Sequence, residues 1–280
     1  MPAINTNAAA NAAVRYLNLN AAQESSSLSK LSSGSRITSA SDDAAGLAIS
    51  TRISSDVTTL QQAATNASQA TSILQTADGG ASNISDILAR MKSLASESAS
   101  GTTTNSSRAY IQSEFTSLSS EIDSIASGTR YSNQSLLDGT SVFSGAGVTV
   151  LVGSSSTDTI SVSLTSLKAS ALGVNTTGTG ALDVTTQIGA NAALTALDSA
   201  IDTVSAARAS IGAQESRFNF SADSISTQTQ NLQSANSAIK DVDIAAEQAR
   251  LSSAEVKTQA AVSAEAAANQ MPQYLLKLLG

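Results

Sequence analysis

The sequence predicts a mainly α fold: an elongated antiparallel helical bundle with coiled-coil packing, a small β-hairpin region, and terminal helices that form an inner assembly domain. Three observations carry this. The two prolines stand at Pro2 and Pro272, so no pyrrolidine ring bars a helix anywhere between Ala3 and Met271. An apolar residue recurs every seven positions through Leu197, Val204, Ile211, Phe218, Ile225, Leu232 and Ile239. The stretch "VTVLVGSSSTDTISVSL" (148–164) alternates around a Gly/Ser/Asp turn, the signature of a hairpin.

Taken in order, the first segment carries Val14, Leu17, Ala21, Leu28 and Leu31 at heptad spacing, with Glu24 interrupting the seam. The run "LSSGSRITSASDDAAG" reads as a connector at Gly34 followed by a helix start capped by Ser41 or Asp42. Two seams follow: Ile53, Val57, Leu60, Ala64, Ala67 and Leu74, with Thr71 as a polar exception, then Ala81, Ile84, Leu88, Met91 and Ala95. Between them "ADGG" (77–80) is expected to shift the phase. Each of its glycines costs about 1 kcal/mol relative to Ala in a helix, and the helix is expected to continue through them. "SGTTTNSS" (100–107) reads as a turn, which sets the stripe Ile111, Phe115, Leu118, Ile122 and Ile125 antiparallel to the helix before it.

After the hairpin, "GVNTTGTGALDVT" (173–185) reads as a loop. The last long heptad has a companion seam, Leu194, Ile201, Arg208, Glu215, Ala222, Thr229 and Asn236, that starts apolar and turns polar. Its polar members read as register devices or contacts to a third element. A helix from 194 to 239 would be roughly 68 Å long. A compact globule of this chain length would be only about 50 Å across, and from that the elongated shape is expected.

Composition excludes several function classes. Charged residues make up 13% of the 280, against about 25% in typical soluble chains. Aromatics make up 3%, with no Trp. Such a chain cannot fill a thick core, but its Ala, Leu, Ile and Val can line narrow helix–helix seams. The net charge of −7 opposes nucleic-acid binding, which needs a basic footprint. No apolar run is long enough to span a membrane, and the first twenty residues show no cleavable secretory pattern.

With neither His nor Cys, catalysis by Ser–His–Asp or Cys–His is excluded, as are zinc sites built on those ligands. The lysines sit in helical or polar contexts that need no chemistry. In "DVDIAAE" (241–247), Asp241, Asp243 and Glu247 read as acids complementing a helix N-terminus rather than as metal ligands. "GAGVTVLVG" lacks both a dinucleotide fingerprint and a P-loop lysine. The expectation is a non-enzyme with no cofactor and no metal.

The chain closes on "MPQYLLKLLG", an apolar burst where termini ordinarily fray. Burial contributes about 25 cal/mol per Å², and ordering a residue's backbone costs about 1–2 kcal/mol. A two-helix end dominated by Ala and Ser is therefore marginal alone and calls for other copies. The residues expected to make those contacts are Val14, Leu17, Leu28 and Leu31 at one end. At the other they are Tyr274, Leu275, Leu276, Leu278 and Leu279.

The segments "SSGSRITSASDDAAGLAIS" (32–50), "TRYSNQSLLDG" (129–139), "IGAQESRFNF" (211–220) and "AANQMPQYLLKLLG" (267–280) resemble bacterial flagellin. "AINTNAAANAA" and "LARMKSLASESASG" (88–101) support the likeness, which spans essentially the whole chain. It implies a minimal form without bulky outer domains. The inner domain would comprise 1–41 and 239–280, and the rod domain 42–175 and 182–238, with 176–181 as the short connector. It further implies a secreted filament subunit for swimming motility, exported unfolded through the flagellar channel. Implied partners are other copies, an export chaperone, and filament cap and junction proteins, with a hook–filament junction protein as the alternative identity. A vertebrate flagellin-sensing Toll-like receptor is also implied, meeting Arg90, Leu94 and Glu114. The chain departs from better-studied agonists at Ala89, Ser93 and Glu97.

Overall fold

The computed structural model describes residues 7–178 and 180–279, with side chains described as far as residue 270. Among these, the helices are α1 (Ala8–Ser33), α2 (Ala44–Ala99), α3 (Asn105–Gly128), α4 (Gln187–Lys240) and α5 (Ile244–Leu279). The strands are β1 (Arg130–Tyr131), β2 (Gln134–Ser135), β3 (Val148–Leu151) and β4 (Thr159–Val162), forming two antiparallel pairs, β1–β2 and β3–β4. The chain divides into two compact units. One comprises the end segments, up to Val57 and from Gln230 onward, and the other is Thr58–Thr229.

In the central unit, α2 buries an unbroken three–four series: Leu60, Ala63, Ala67, Ala70, Leu74, Ala77, Ala81, Ile84, Leu88, Met91, Ala95 and Ser98. The expected phase shift at "ADGG" is therefore absent. Ala70 and Ala77 complete the series, while Thr71 and Ala64 fall beside it. On α4 the apolar edge Leu197, Val204, Ile211, Phe218 and Ile225 is buried as expected. Its companion is displaced by one residue. Ala193, Ala200, Ala207 and Gln214 occupy the interior, and Leu194, Ile201, Arg208 and Glu215 are half-buried on the flank. Small side chains suit such interior positions, and the larger Leu194 and Ile201 lie on the half-buried flank.

The flank residues still set register. Arg208 Nε donates to Asp78 Oδ1 at 2.8 Å, and Lys92 pairs with Asp198, so α2 and α4 run antiparallel. Asp78 hydrogen-bonding raises the Arg208 pKa further, while burial and the nearby Asp78 charge raise that of Glu215. The stripe on α3 is buried at Ile111, Phe115 and Ile122. Arg108 closes the α2–α3 turn by donating to Ser98 O (2.8 Å) and Ser100 O (2.9 Å), placing a cation at the carbonyl end of α2.

The hairpin expected at 148–164 forms, with Val148 opposite Val162 and Leu151 opposite Thr159. Gln214 extends it: Ser163 N donates to Oε1 and Nε2 donates to Ser163 O, both at 3.1 Å, so an α4 side chain imitates a strand partner. The smaller β1–β2 hairpin carries no alternating apolar pattern in the sequence. Its two-residue turn places Ser132 and Asn133 at positive φ (49° and 67°), and Asn is among the residues that tolerate that region best. The 173–185 loop is pinned at both ends: Leu182 N donates to Asn175 O at 2.8 Å, and Val184 N to Gln112 Oε1 at 2.7 Å.

Candidate functional site

The end segments carry the first candidate site. Asn7 caps α1 by accepting from Ala10 N at 3.1 Å, and its amide donates to Ala268 O at 2.7 Å. Midway, Thr258 Oγ1 donates to Glu24 Oε2 at 3.3 Å. Glu24, which breaks the α1 seam in sequence, thus serves as a register contact to α5. At the far end the two connectors join: Arg36 N donates to Lys240 O at 2.6 Å and Val242 N to Gly34 O at 3.1 Å. Gly34 supplies the left-handed C-cap of α1, with φ 69°.

The cap of α2 falls one residue later than expected. Asp43, not Ser41 or Asp42, accepts from Gly46 N at 2.8 Å. Asp42 instead gathers Thr38 Oγ1 and the Thr38 and Ser39 backbone N–H groups on one oxygen. Those bonds, the Thr38 hydroxyl foremost, hold its carboxyl below the ordinary range. A side chain that folds a loop back on itself is unavailable to the next helix.

At the start of α5, Asp243 accepts from Ala246 N at 3.1 Å as the cap. Glu247, one turn on, is buried against α1. There the buried Ser27 hydroxyl donates to it, and Arg250 Nη1 donates to its Oε2 at 3.1 Å. The Ser27 bond leads in holding the Glu247 pKa down; burial opposes it, and Arg250 and the Lys30 charge reinforce it.

The interior of this pair is narrow and its outside is apolar. Leu28 is 59% exposed and Val14 38%, while Leu17 and Leu31 are half-buried. Tyr16, Leu19, Val256 and Val262, which stand outside the heptad positions, are exposed as well. Their signal was present in the sequence as large apolar residues standing off the seam. Tyr274, Leu275, Leu276, Leu278 and Leu279 lie outside the residues whose side chains are described.

A second candidate site lies on the central unit. Arg90 of α2 donates from Nε (2.9 Å) and Nη2 (2.6 Å) to Glu114 Oε1 of α3. An exposed pair of this kind contributes only about 0–1 kcal/mol, so its consequence is to set a guanidinium and a carboxylate side by side at the surface. Leu94 does not join them. It is 3% exposed and belongs to the core, because its place on α2 faces inward. Tyr110, one turn before Glu114, is exposed instead.

Comparison with known proteins gives these surfaces a context. Residues 4–142 match the bacterial flagellin N-terminal helical region, and 194–279 match the bacterial flagellin C-terminal helical region. The flagellin of Halalkalibacterium halodurans is 36% identical over 276 residues, covering 99% of each chain. Those of Listeria monocytogenes and Bacillus subtilis are each 34% identical, again over 99% of both chains. The crystal structure of Bacillus cereus flagellin superposes with a TM-score of 0.50 at 30% identity, covering 61% of this chain and 94% of that one. A putative flagellar hook-associated protein from Vibrio parahaemolyticus (TM-score 0.58, 16% identity) shares the fold. Both helical regions are present and in order, so the chain belongs to the bacterial flagellins, the non-enzymatic structural subunits that polymerise into the extracellular flagellar filament.

Proposed function

We propose that copies of this chain join through the outward faces of α1 and α5, with the tail from Met271 onward completing the contact. The observation that carries this is the set of large apolar side chains left in solvent on the terminal pair, Leu19, Leu28 and Val256 among them. In this reading the inner assembly domain is 1–41 with 239–280, the rod is 42–175 with 182–238, and 176–181 is the connector. Leu28→Asp tests it. The variant keeps its helical content by circular dichroism but forms no filaments by electron microscopy; normal filaments would overturn the assignment of these outward faces to the interface. Thousands of copies along a filament, rather than a short ring at its base, separate this role from a hook–filament junction protein.

A terminal pair with so little interior of its own suits export in unfolded form, with a chaperone holding the C-terminal helix until secretion. Filament cap and junction proteins would then meet the same terminal faces. The Arg90–Glu114 pair, rather than the buried Leu94, would present the rod to a vertebrate flagellin-sensing Toll-like receptor. Arg90→Ala should cut activation of that receptor by monomer at least about tenfold, in line with removal of a charged contact. An unchanged response would remove Arg90 from the recognition surface.

A further inference from the structure

Two grooves flank the α1–α5 seam, and they carry opposite charge. The first, of about 240 Å³, is lined by Gln23 of α1 with Arg250, Ser253 and Lys257 of α5. The second, of about 470 Å³, is lined by Glu24 of α1 with Glu255, Gln259 and Val262 of α5. Helical spacing explains the separation: Arg250, Ser253 and Lys257 recur at intervals of three and four, as do Glu255, Gln259 and Val262. The two rows run on either side of the stripe Glu247, Leu251 and Ala254, which is buried against α1.

We propose that the two flanks bearing these grooves meet between neighbouring copies, the basic row of one terminal pair set against the acidic row of the next. The proposal rests on the reading that the terminal helices form the intersubunit interface, and it names the chemistry that sets register there. Charge complementarity points to a second copy as the occupant. Among the described residues neither the Lys257 nor the Glu255 side chain has a hydrogen-bonding or ionic partner, and the Arg250 side chain is 70% exposed although one of its nitrogens is held by Glu247. The acidic groove is also continuous with the exposed apolar surface, since Val262 belongs to both.

The geometry accounts for an open polymer. A single self-complementary patch would close on itself as a two-fold dimer. Two different patches on opposite flanks make a head-to-tail contact in which every added copy presents a fresh groove. Charges at such a rim fix register and speed encounter more than they add affinity, while the neighbouring apolar side chains supply the burial.

The test is charge reversal in the full-length chain, with critical concentration for assembly read by sedimentation and filaments by electron microscopy. Lys257→Glu alone places like charges in both grooves of every contact, and so does Glu255→Lys alone. Each should raise the critical concentration about tenfold or more, with wild-type helical content. An equimolar mixture of the two should assemble at near the wild-type concentration, because each variant's reversed groove then meets its opposite on the other. The double variant should do the same. Single variants that assemble like wild type would overturn the pairing, and so would a mixture no better than its components. Normal assembly of Leu28→Asp would sink the underlying interface. Unaffected charge variants beside a defective Leu28→Asp would remove only the groove pairing.

Discussion

Gly79 and Gly80 stand together in the middle of α2, where each should cost about 1 kcal/mol relative to Ala, yet only one of them has a structural reason to be there. A Cβ on Gly79 would meet nothing within 4 Å. A Cβ on Gly80 would overlap Thr129 and sit 2.9 Å from Leu137 Cδ1. Thr129 cannot easily yield, because its hydroxyl donates to Ile125 O at 2.8 Å and its backbone N–H to the same carbonyl. Gly79→Ala should therefore stabilise the chain by about 0.5–1 kcal/mol. Gly80→Ala should destabilise it by about 1–3 kcal/mol through overpacking. Urea unfolding of the pair decides it; equal effects would remove the close-approach explanation. The sequence displayed both glycines but not their difference, since what distinguishes them is a turn some fifty residues away.

At the scale of elements, the heptads were legible and their partners were not. Large residues announce a seam, so Leu197 to Ile225 could be read directly. Beside it the larger Leu194 and Ile201 look like the second edge, yet Ala193 and Ala200 are the residues buried there, a choice made by packing and not by hydrophobicity along the chain. The same blindness produced the phase shift expected at "ADGG", where Ala77 is buried and continues the series. Glu247 shows the limit for polar groups. Its place near a helix start was readable, whereas its burial beneath Ser27 depends on how α1 lies against α5. Because its folded pKa is held below the ordinary 4.5, its stabilising effect is complete above that value and lost as pH falls through the folded pKa. Glu247→Gln should weaken the α1–α5 pair at neutral pH by about 1–3 kcal/mol and flatten its acid dependence. Hydrogen exchange across the first turns of α5, followed from neutral to acid pH, reads this directly. A wild-type acid profile in the variant would assign the dependence to another carboxylate.

At the scale of the whole molecule, the two units differ in what fills them. The central unit buries Phe115, Phe218, Ile84, Leu88, Met91 and Leu197. Among the described residues of the end segments, the buried side chains are mostly small or polar: Ser27, Ser35, Ser50, Ala254 and Ala268, with Ile37, Leu251 and Glu247. This contrast was visible in composition and determines what truncation should do. Deleting 271–280 removes Tyr274, Leu275, Leu276, Leu278 and Leu279, each worth about 1.5–3 kcal/mol if fully buried. A tenfold change in affinity needs only about 1.4 kcal/mol, so burial of even two of them between copies sets assembly by orders of magnitude. The truncated chain should keep the central unit's helices, seen as a cooperative thermal transition by circular dichroism, and should form no filaments at concentrations where the intact chain does. Filaments of normal diameter from the truncated chain would remove the tail from the intersubunit contact and leave it to the apolar side chains exposed on α1 and α5, Leu19, Leu28 and Val256 among them.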